Sequence, residues 1–219
     1  KYVYLKKKKK ILQVQNKALE LSMFLSLPAS VALFIGSDVI ISALFGYGSF
    51  TEEAVDNSAQ ALFYFGLGLP AFALIKVFST FFFANHDTKT PFYISLFSVI
   101  LNVIISLYYF KSVGFTIIPI ATSISSWFNS ILLFIFLKNK DLFQFNEIFI
   151  IRFIKISFSS FLMGIFFKYV IVFFENQLIY DYYFKSFYLL LSVILGLIFY
   201  LLISLLIKAF KYDDIKLKY

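Results

Sequence analysis

Residues 59–84 read AQALFYFGLGLPAFALIKVFSTFFFA, and this stretch decides the fold class of the chain. It carries one charged side chain, Lys76. A membrane core about 30 Å thick is crossed by about 20 apolar residues of a helix that rises about 1.5 Å per residue. Barrel strands instead alternate apolar and polar residues over about ten positions, which this run does not do. The stretch is therefore predicted to be a transmembrane helix.

Five other stretches have the same character, and the overall composition agrees with them. Hydrophobic residues make up 61% of the chain and charged residues 15%, whereas soluble domains have about 45–50% and about 25%. A domain of this size cannot bury such an excess and still keep a polar surface. We expect an all-α, polytopic transmembrane bundle of six helices, at residues 19–45, 59–84, 92–110, 115–137, 153–174 and 187–207.

The first of these spans contains residues that disfavour a straight helix. Pro28 is expected to bend it, because proline removes a backbone donor and clashes with the preceding turn. The sequence GSD at residues 36–38 is expected to end or kink it before a short apolar piece, residues 39–45. That piece is expected to lie at the membrane interface and to lead into a turn with the sequence GYG, residues 46–48.

Basic residues collect in every second connection of the predicted bundle. Because cytoplasmic loops carry an excess of lysine and arginine, four regions are assigned to the cytoplasmic side: the basic segment 1–18, the loop after the second span with Lys89, the loop 138–152 and the basic tail 208–219. Both ends of the chain are then cytoplasmic. The intervening loops are mainly acidic, and their charged residues are Glu52, Glu53, Asp56, Glu175 and Asp181, with Lys111 and Lys185 as cations.

The rest of the composition argues against several classes of function. The chain has no cysteine and a single histidine, so neither a disulfide framework nor a cysteine- or histidine-based metal site is expected, and no cofactor is assigned. The chain has a net charge of +8, but it contains no basic polar domain of the kind that binds nucleic acid. Membrane lipids are therefore the expected partners of its basic residues. Because the chain begins at Lys1 without an initiator methionine, we expect it to be part of a longer protein.

Three blocks of sequence resemble the MurJ/MviN family of lipid II flippases. Residues 44–51, LFGYGSFT, resemble the family's outer-face motif. Residues 61–68, ALFYFGLG, resemble the start of its next helix, and residues 82–91, FFANHDTKTP, resemble its cytoplasmic Asp–Lys–Thr–Pro loop. The order and spacing of the blocks also match.

In the outer-face motif the matching positions are Gly46, Gly48 and Phe50. The resemblance runs from about residue 18 to residue 137, and beyond it only hydropathy and helix count agree. One departure is Phe83, where the family pattern has a tyrosine before the alanine.

The resemblance implies a two-lobed, fourteen-helix protein of the multidrug/oligosaccharidyl-lipid/polysaccharide exporter superfamily. This chain would be its C-terminal half, one lobe, with a four-helix part at 19–137 and the last two helices at 153–207. An undecaprenyl-linked peptidoglycan precursor would cross the bacterial inner membrane by alternating access, with no covalent chemistry. That activity would serve cell-wall biogenesis and cell shape. Its partners would be this lipid and the missing N-terminal lobe.

Lys76 is the most informative charge in the predicted spans. It lies about eight residues before the end of its helix, roughly 12 Å deep at helical rise, and a lysine side chain reaches about half that distance. An unpaired ammonium at that depth costs at least about 2.5 kcal/mol. Lys76 is therefore expected to face a transport cavity, a carboxylate or a lipid phosphate, unless helix tilt makes it an interface anchor.

The loop with Asp87, Lys89, Thr90 and Pro91 has two interpretations. The structural one, which we favour, is that Asp87 or Thr88 caps the next helix, Pro91 occupies its first turn and Lys89 meets anionic lipid. The functional one is a cytoplasmic gate between lobes.

Polar residues recur at helical spacing on the third and fourth spans, and Asn102 and Asn129 stand out among them. In lipid such stripes pack between helices or line a cavity, and packing is the commoner use. The two asparagines are assigned to the transport cavity, because a buried amide needs several partners. Arg152 and Lys155 are explained by anchoring to anionic lipid.

Other functions stay open at this stage. A polysaccharide-lipid flippase or a drug/cation antiporter of the same superfamily is the nearest alternative, although an antiporter is expected to bury a carboxylate within a helix. A membrane enzyme would need clustered acidic residues, and the only such cluster, Glu52, Glu53 and Asp56, is expected in an outer loop. A fragment without activity is the third possibility.

Overall fold

The computed structural model describes residues 2–209, with side chains from residue 10 onward, and this part consists of helices and the connections between them, without strands. The side chains of residues 6–9 in the basic segment, and residues 210–219 of the basic tail, lie outside the described part. Six helices are long, and a four-residue helix, α6, precedes the last of them. The helices are α1 (Tyr2–Phe45), α2 (Glu52–Phe83), α3 (Lys89–Val113), α4 (Ile117–Asn139), α5 (Glu147–Phe173), α6 (Glu175–Leu178) and α7 (Lys185–Leu206).

Five helical stretches are long and apolar enough to cross a membrane. One of them, Lys89–Asn139, contains both α3 and α4, joined by the 3-10 turn Gly114–Thr116. The amide of Asn102 donates to Thr122 Oγ1 at 3.1 Å, and Asn129 donates to Ser95 Oγ at 3.4 Å, so later residues of α4 face earlier residues of α3. The two helices are therefore an antiparallel hairpin. The predicted all-α transmembrane class is confirmed, with six long helices.

The predicted end of the helix at residues 36–38 is wrong, because α1 runs from Tyr2 to Phe45. The apolar piece 39–45 is the end of this helix rather than a separate interfacial segment. Gly36 has a packing role instead: a Cβ atom there would lie 2.8 Å from Phe167 Cε1 of α5. The glycine thus permits close approach of two helices, a common use of small residues in membranes.

Several helices extend past their predicted apolar spans into polar sequence. Glu52 and Glu53, expected in a loop, form the first turn of α2, where carboxylates stabilise the positive end of the helix dipole. The connection between α4 and α5 covers only residues 140–146 of the predicted loop 138–152. Apolar runs mark the length that lipid requires, whereas the helices continue beyond it.

Three helices end alike, with a non-glycine residue in the left-handed conformation. His86 (φ 58°) follows α2, Asp141 (φ 52°) follows α4 and Lys208 (φ 55°) follows α7. In each case the next N–H donates to a carbonyl five residues earlier, at 3.0 Å after α2 and α4 and at 2.9 Å after α7. This pattern satisfies carbonyls that a helix end leaves without partners.

The chain divides into two compact units, and three helices contribute to both. The first unit comprises the described residues up to Ser26 together with Gly68–Phe153, and its core is rich in aromatic rings. The rings of Phe81 and Phe143 stack with centroids 5.6 Å apart. The buried members of this core are Leu19, Phe78, Phe81, Phe82, Ile94, Leu133, Leu137, Phe143 and Phe149.

The second unit comprises Leu27–Leu67 together with the described residues from Ile154 onward, and small residues bring its helices together. Phe167 of α5 is buried, with Gly36 of α1 against its ring. A Cβ atom at Gly196 of α7 would meet the same ring at 3.4 Å. In this unit, α5 therefore packs against both α1 and α7.

Candidate functional site

The loop predicted as a gate is tied to the connection between α4 and α5 by a polar cluster of three residues, Asp87, Thr90 and Lys140, called here the loop clasp. The Thr90 N–H and hydroxyl donate to the Asp87 carboxylate at 3.0 and 2.7 Å. The Lys140 ammonium donates to Asp87 Oδ2 at 2.6 Å and to Thr90 Oγ1 at 3.0 Å. Asp87 thus caps α3, as the structural interpretation predicted, and also carries an ion pair.

The electrostatics of the loop clasp favour an ionised aspartate. The hydrogen bond from the Lys140 ammonium, supported by those from Thr90, lowers the pKa of Asp87 from 3.8 to about 2. The side chains of Lys140 and Asp87 are 44% and 20% exposed, so solvent screens their attraction. Of the other residues assigned to the gate, Pro91 is buried in the first turn of α3 and Lys89 is exposed.

The α4–α5 connection is also held by α1. The Asn16 side chain donates to the Gln144 carbonyl at 2.9 Å and accepts from the Asn146 N–H at 3.0 Å. The Gln15 amide donates to the Leu142 carbonyl at 3.2 Å. Three elements of the first unit, α1 and two connections, therefore meet at one end of that unit.

Arg152, the single arginine of the chain, pairs with a carboxylate. Its Nη1 donates to Glu20 Oε2 of α1 at 2.8 Å, and the two side chains are only 19% and 13% exposed. The sequence prediction explained Arg152 by lipid anchoring alone. The structure corrects this, because a half-buried guanidinium is satisfied within the protein by a partner 132 positions away.

Lys76 lies on an exposed face of α2, seven residues before that helix ends at Phe83. Its carbonyl accepts a hydrogen bond from the Thr80 hydroxyl at 2.8 Å. Within the part of the chain with described side chains, its ammonium makes no ion pair.

Asn102 and Asn129 both lie in the contact between α3 and α4, and each bonds to a different part of the other helix. Asn102 also approaches Ser125 Oγ at 3.3 Å. The oxygen of the buried Asn129 side chain has no hydrogen-bond partner among the described residues. These contacts are those of a helix-packing seam, and the buried hydroxyl of Ser106 on α3 likewise has no hydrogen-bond partner among the described residues.

The turn with the GYG sequence lies in the second unit, where residues 46–50 connect α1 to α2. Gly46 is buried, and Gly48 has φ +60°, a left-handed conformation that side chains disfavour. The Phe50 carbonyl accepts from the Tyr180 hydroxyl at 2.5 Å. The turn is thereby tied to the connection that precedes α7.

Sequence reasoning missed one residue at this turn, Lys185. It was counted among the cations of an outer loop, but it is the first residue of α7 and is fully buried. Its ammonium donates to the Gly46 carbonyl at 2.6 Å. A lysine beside an apolar span gives no sequence signal for such a contact, because the partner lies 139 positions away.

Nothing in the described residues forms a cluster of three or more histidine, aspartate or glutamate side chains of the kind that holds a metal ion. The polar contacts described above join loops and helices to one another.

Comparisons with known proteins identify the family. A family model described as Lipid II flippase MurJ matches residues 2–194. The chain is 41% identical over 122 residues to a "Probable lipid II flippase MurJ" of Rickettsia prowazekii (strain Madrid E), covering 56% of this chain and 24% of that protein. It is 38% identical over 143 residues to a protein of the same name from Thermotoga maritima, covering 65% and 28%.

A solved structure also resembles the chain. It is titled Lipid II flippase MurJ, inward closed conformation, and the comparison gives a TM-score of 0.72 at 25% identity, covering 90% of this chain and 39% of that one. The chain spans about a quarter of the length of the curated relatives that it matches. The family match extends well past residue 137, where the sequence resemblance ended. Because the family model covers most of its length, the chain belongs to the lipid II flippase MurJ family.

Proposed function

We propose that this chain is the C-terminal portion of a flippase that moves an undecaprenyl-linked peptidoglycan precursor across the bacterial inner membrane by alternating access. The observation that carries the proposal is the family match over residues 2–194. The membrane-spanning helices and the likeness to a solved flippase structure support it. The activity belongs to the longer protein, in which this chain is one lobe and an N-terminal lobe is its partner.

Within this proposal Lys76 faces the transport path. Its exposed position on α2 and the lack of a described ion-pair partner leave its charge available to a phosphate oxygen of the substrate. An ammonium in lipid without such a partner costs at least about 2.5 kcal/mol. Asn102 and Asn129 take part through the α3–α4 seam, where the buried Asn129 oxygen has no hydrogen-bond partner among the described residues.

The loop clasp belongs to the cytoplasmic gate in this proposal, together with Lys89 and Pro91, and the turn at residues 46–50 lies on the outer side. The clasp supports a gate role because it joins two connections through one ion pair that a change of conformation can break. Both ends of the chain are cytoplasmic, as are the segment 1–18, the loop 138–152 and the tail 208–219.

The orientation is testable because the chain contains no cysteine. Single substitutions Ser49→Cys and His86→Cys place thiols at exposed positions of two different connections. In intact cells, a membrane-impermeant maleimide should label Ser49→Cys directly and His86→Cys only after permeabilisation. The opposite pattern would invert the assigned topology.

The activity is testable by complementation. The reading frame that contains this chain, or a chimera with the N-terminal part of the Rickettsia prowazekii relative, is expressed while the host's own lipid II flippase is depleted. Growth should be sustained, and Lys76→Ala should abolish rescue at normal membrane abundance, whereas Lys168→Ala, at an exposed lysine of α5, should not.

Failure of rescue by an abundant, correctly inserted protein would overturn the lipid II assignment. It would favour a flippase for another polysaccharide lipid, a drug/cation antiporter of the same superfamily, or a fragment without activity.

A further inference from the structure

The ammonium of Lys185 is enclosed by the two connections that meet at the start of α7. It is fully buried, and it donates to the carbonyls of Gly46 at 2.6 Å and Tyr180 at 2.5 Å. It also lies 4.4 Å from the ring centroid of Tyr47 and 4.5 Å from that of Tyr180. Two carbonyl oxygens and two aromatic faces thus form a cage around one positive charge.

This cage compensates a buried charge without a carboxylate. Among the described residues Lys185 makes no ion pair within 4 Å. The electron-rich faces of tyrosine rings attract a cation, and desolvation strengthens that attraction. Gly46 directly follows the last residue of α1, so its carbonyl lies at the negative end of the α1 dipole. Lys185 of α7 thereby acts as a C-terminal cap for a different helix, α1.

The cage explains why the two glycines of the turn are not equivalent. A Cβ atom at Gly46 would lie 2.6 Å from the Ser42 carbonyl oxygen, 3.1 Å from Lys185 Nζ and 3.1 Å from Tyr180 Cε2. A side chain there would enter the cage. A Cβ atom at Gly48 would meet nothing within 4 Å, and this residue is needed for its positive φ instead.

Further hydrogen bonds join the first turn of α7 to the end of α1 and to the turn that follows it. The Ser186 hydroxyl donates to the Ala43 carbonyl at 2.6 Å, and it lies 2.7 Å from the Tyr47 hydroxyl. The Tyr180 hydroxyl also donates to the Phe50 carbonyl, so the two connections are joined by contacts other than those of the ammonium.

We propose that Lys185 is a positioning residue that holds residues 46–50 against residues 179–185. This arrangement is called here the lysine latch. The turn cannot open while the ammonium holds the Gly46 carbonyl, so the two connections move together or not at all. The inference goes beyond the proposed transport activity, because it follows from contacts within the second unit and holds for any substrate.

Hydrogen–deuterium exchange of the chain in detergent micelles or nanodiscs tests the latch. Lys185→Met keeps the length of the side chain and removes its charge, and Lys168→Met is the matched control at an exposed lysine of the same unit. In Lys185→Met, exchange should accelerate at least tenfold in both connections, and in Lys168→Met it should stay within twofold of the wild type. Exchange unchanged in both connections of Lys185→Met, or faster in only one, would overturn the proposal.

A second measurement uses the wild-type chain and does not depend on folding of a variant. A small amine-reactive ester should acylate Lys185 at least tenfold more slowly than Lys168, because the ammonium must leave its cage to react. Molecules acylated at Lys185 should then show accelerated exchange in both connections. Equal acylation rates, or unchanged exchange after acylation of Lys185, would contradict the latch. Neither readout involves transport, so failure of the proposed function would leave these results unaffected.

Discussion

The close contact between α1 and α5 in the second unit predicts a large effect from one added methyl group. In Gly164→Ala, the new Cβ atom would lie 2.5 Å from Val31 Cγ1 and 2.9 Å from Ile35 Cδ1. Carbon atoms pack at about 3.5–4.0 Å, so the two helices must separate or the side chains must change rotamer. The Cγ1 atom of Val31 moves only with χ1, and valine in a helix has one strongly preferred χ1 rotamer, which makes the second route costly.

The size of the expected loss in unfolding free energy follows from comparison with a second glycine in a similar position. Gly164 and Gly196 are both buried and both helical, so alanine gains about 1 kcal/mol of helix propensity at either position. Overpacking a helix contact costs about 1–3 kcal/mol. At Gly196 the nearest atom would be Phe167 Cδ2 at 3.4 Å, which is an ordinary contact. Gly164→Ala should therefore be less stable than Gly196→Ala by about 1–3 kcal/mol.

The free energies of unfolding of both variants can be measured by reversible unfolding in mixed micelles, with helix content followed by circular dichroism. Because each variant adds the same methyl group to a helix, differences in propensity cancel in the comparison. Equal stability of the two variants, or a more stable Gly164→Ala, would refute the packing argument and show that α1 is not this close to α5.

Two further predictions concern the ion pairs of the first unit. A double-mutant cycle of Asp87→Asn and Lys140→Met should give a coupling of about 0.5–1 kcal/mol, because the pair is partly exposed. The pKa of Asp87 is lowered to about 2 in the folded chain, so this stabilisation should be complete above about pH 4 and lost as the pH falls towards 2; a coupling independent of pH would contradict it. Arg152→Met should cost about 1–3 kcal/mol more than Lys155→Met in the same unfolding assay, because it leaves the half-buried Glu20 carboxylate without its arginine. Equal costs would restore the lipid-anchor explanation of Arg152.

The helices were predictable from the sequence because a segment that crosses lipid must be long and apolar. Long apolar runs with few charges, such as residues 59–84, must form helices that satisfy their own backbone groups. The same argument cannot separate a glycine that ends a helix from one that permits close packing. Gly36 belongs to the second kind, and only the position of Phe167 in another helix reveals it.

The partners of charged residues were not predictable, because they lie far away in the chain. Arg152 and Lys185 follow the same pattern: each lies at or near the start of a helix, where lipid anchoring or solvent exposure is the simplest explanation. Arg152 donates to Glu20, which lies 132 positions away in the sequence, and Lys185 donates to the carbonyl of Gly46, which lies 139 positions away. By contrast, the cap from Asp87 to Thr90 spans three residues, and the local sequence was sufficient to predict it.

The proposed transport is best tested by measuring how much lipid-linked peptidoglycan precursor reaches the outer face of cells that depend on the protein containing this chain. An externally added, membrane-impermeant reagent that modifies the precursor headgroup reports that amount after the host flippase is depleted. Near-normal modification is expected with the intact protein, and a fall to the depleted level is expected with Lys76→Ala at equal membrane abundance. Modification at the depleted level with the intact, correctly inserted protein would contradict the proposed transport.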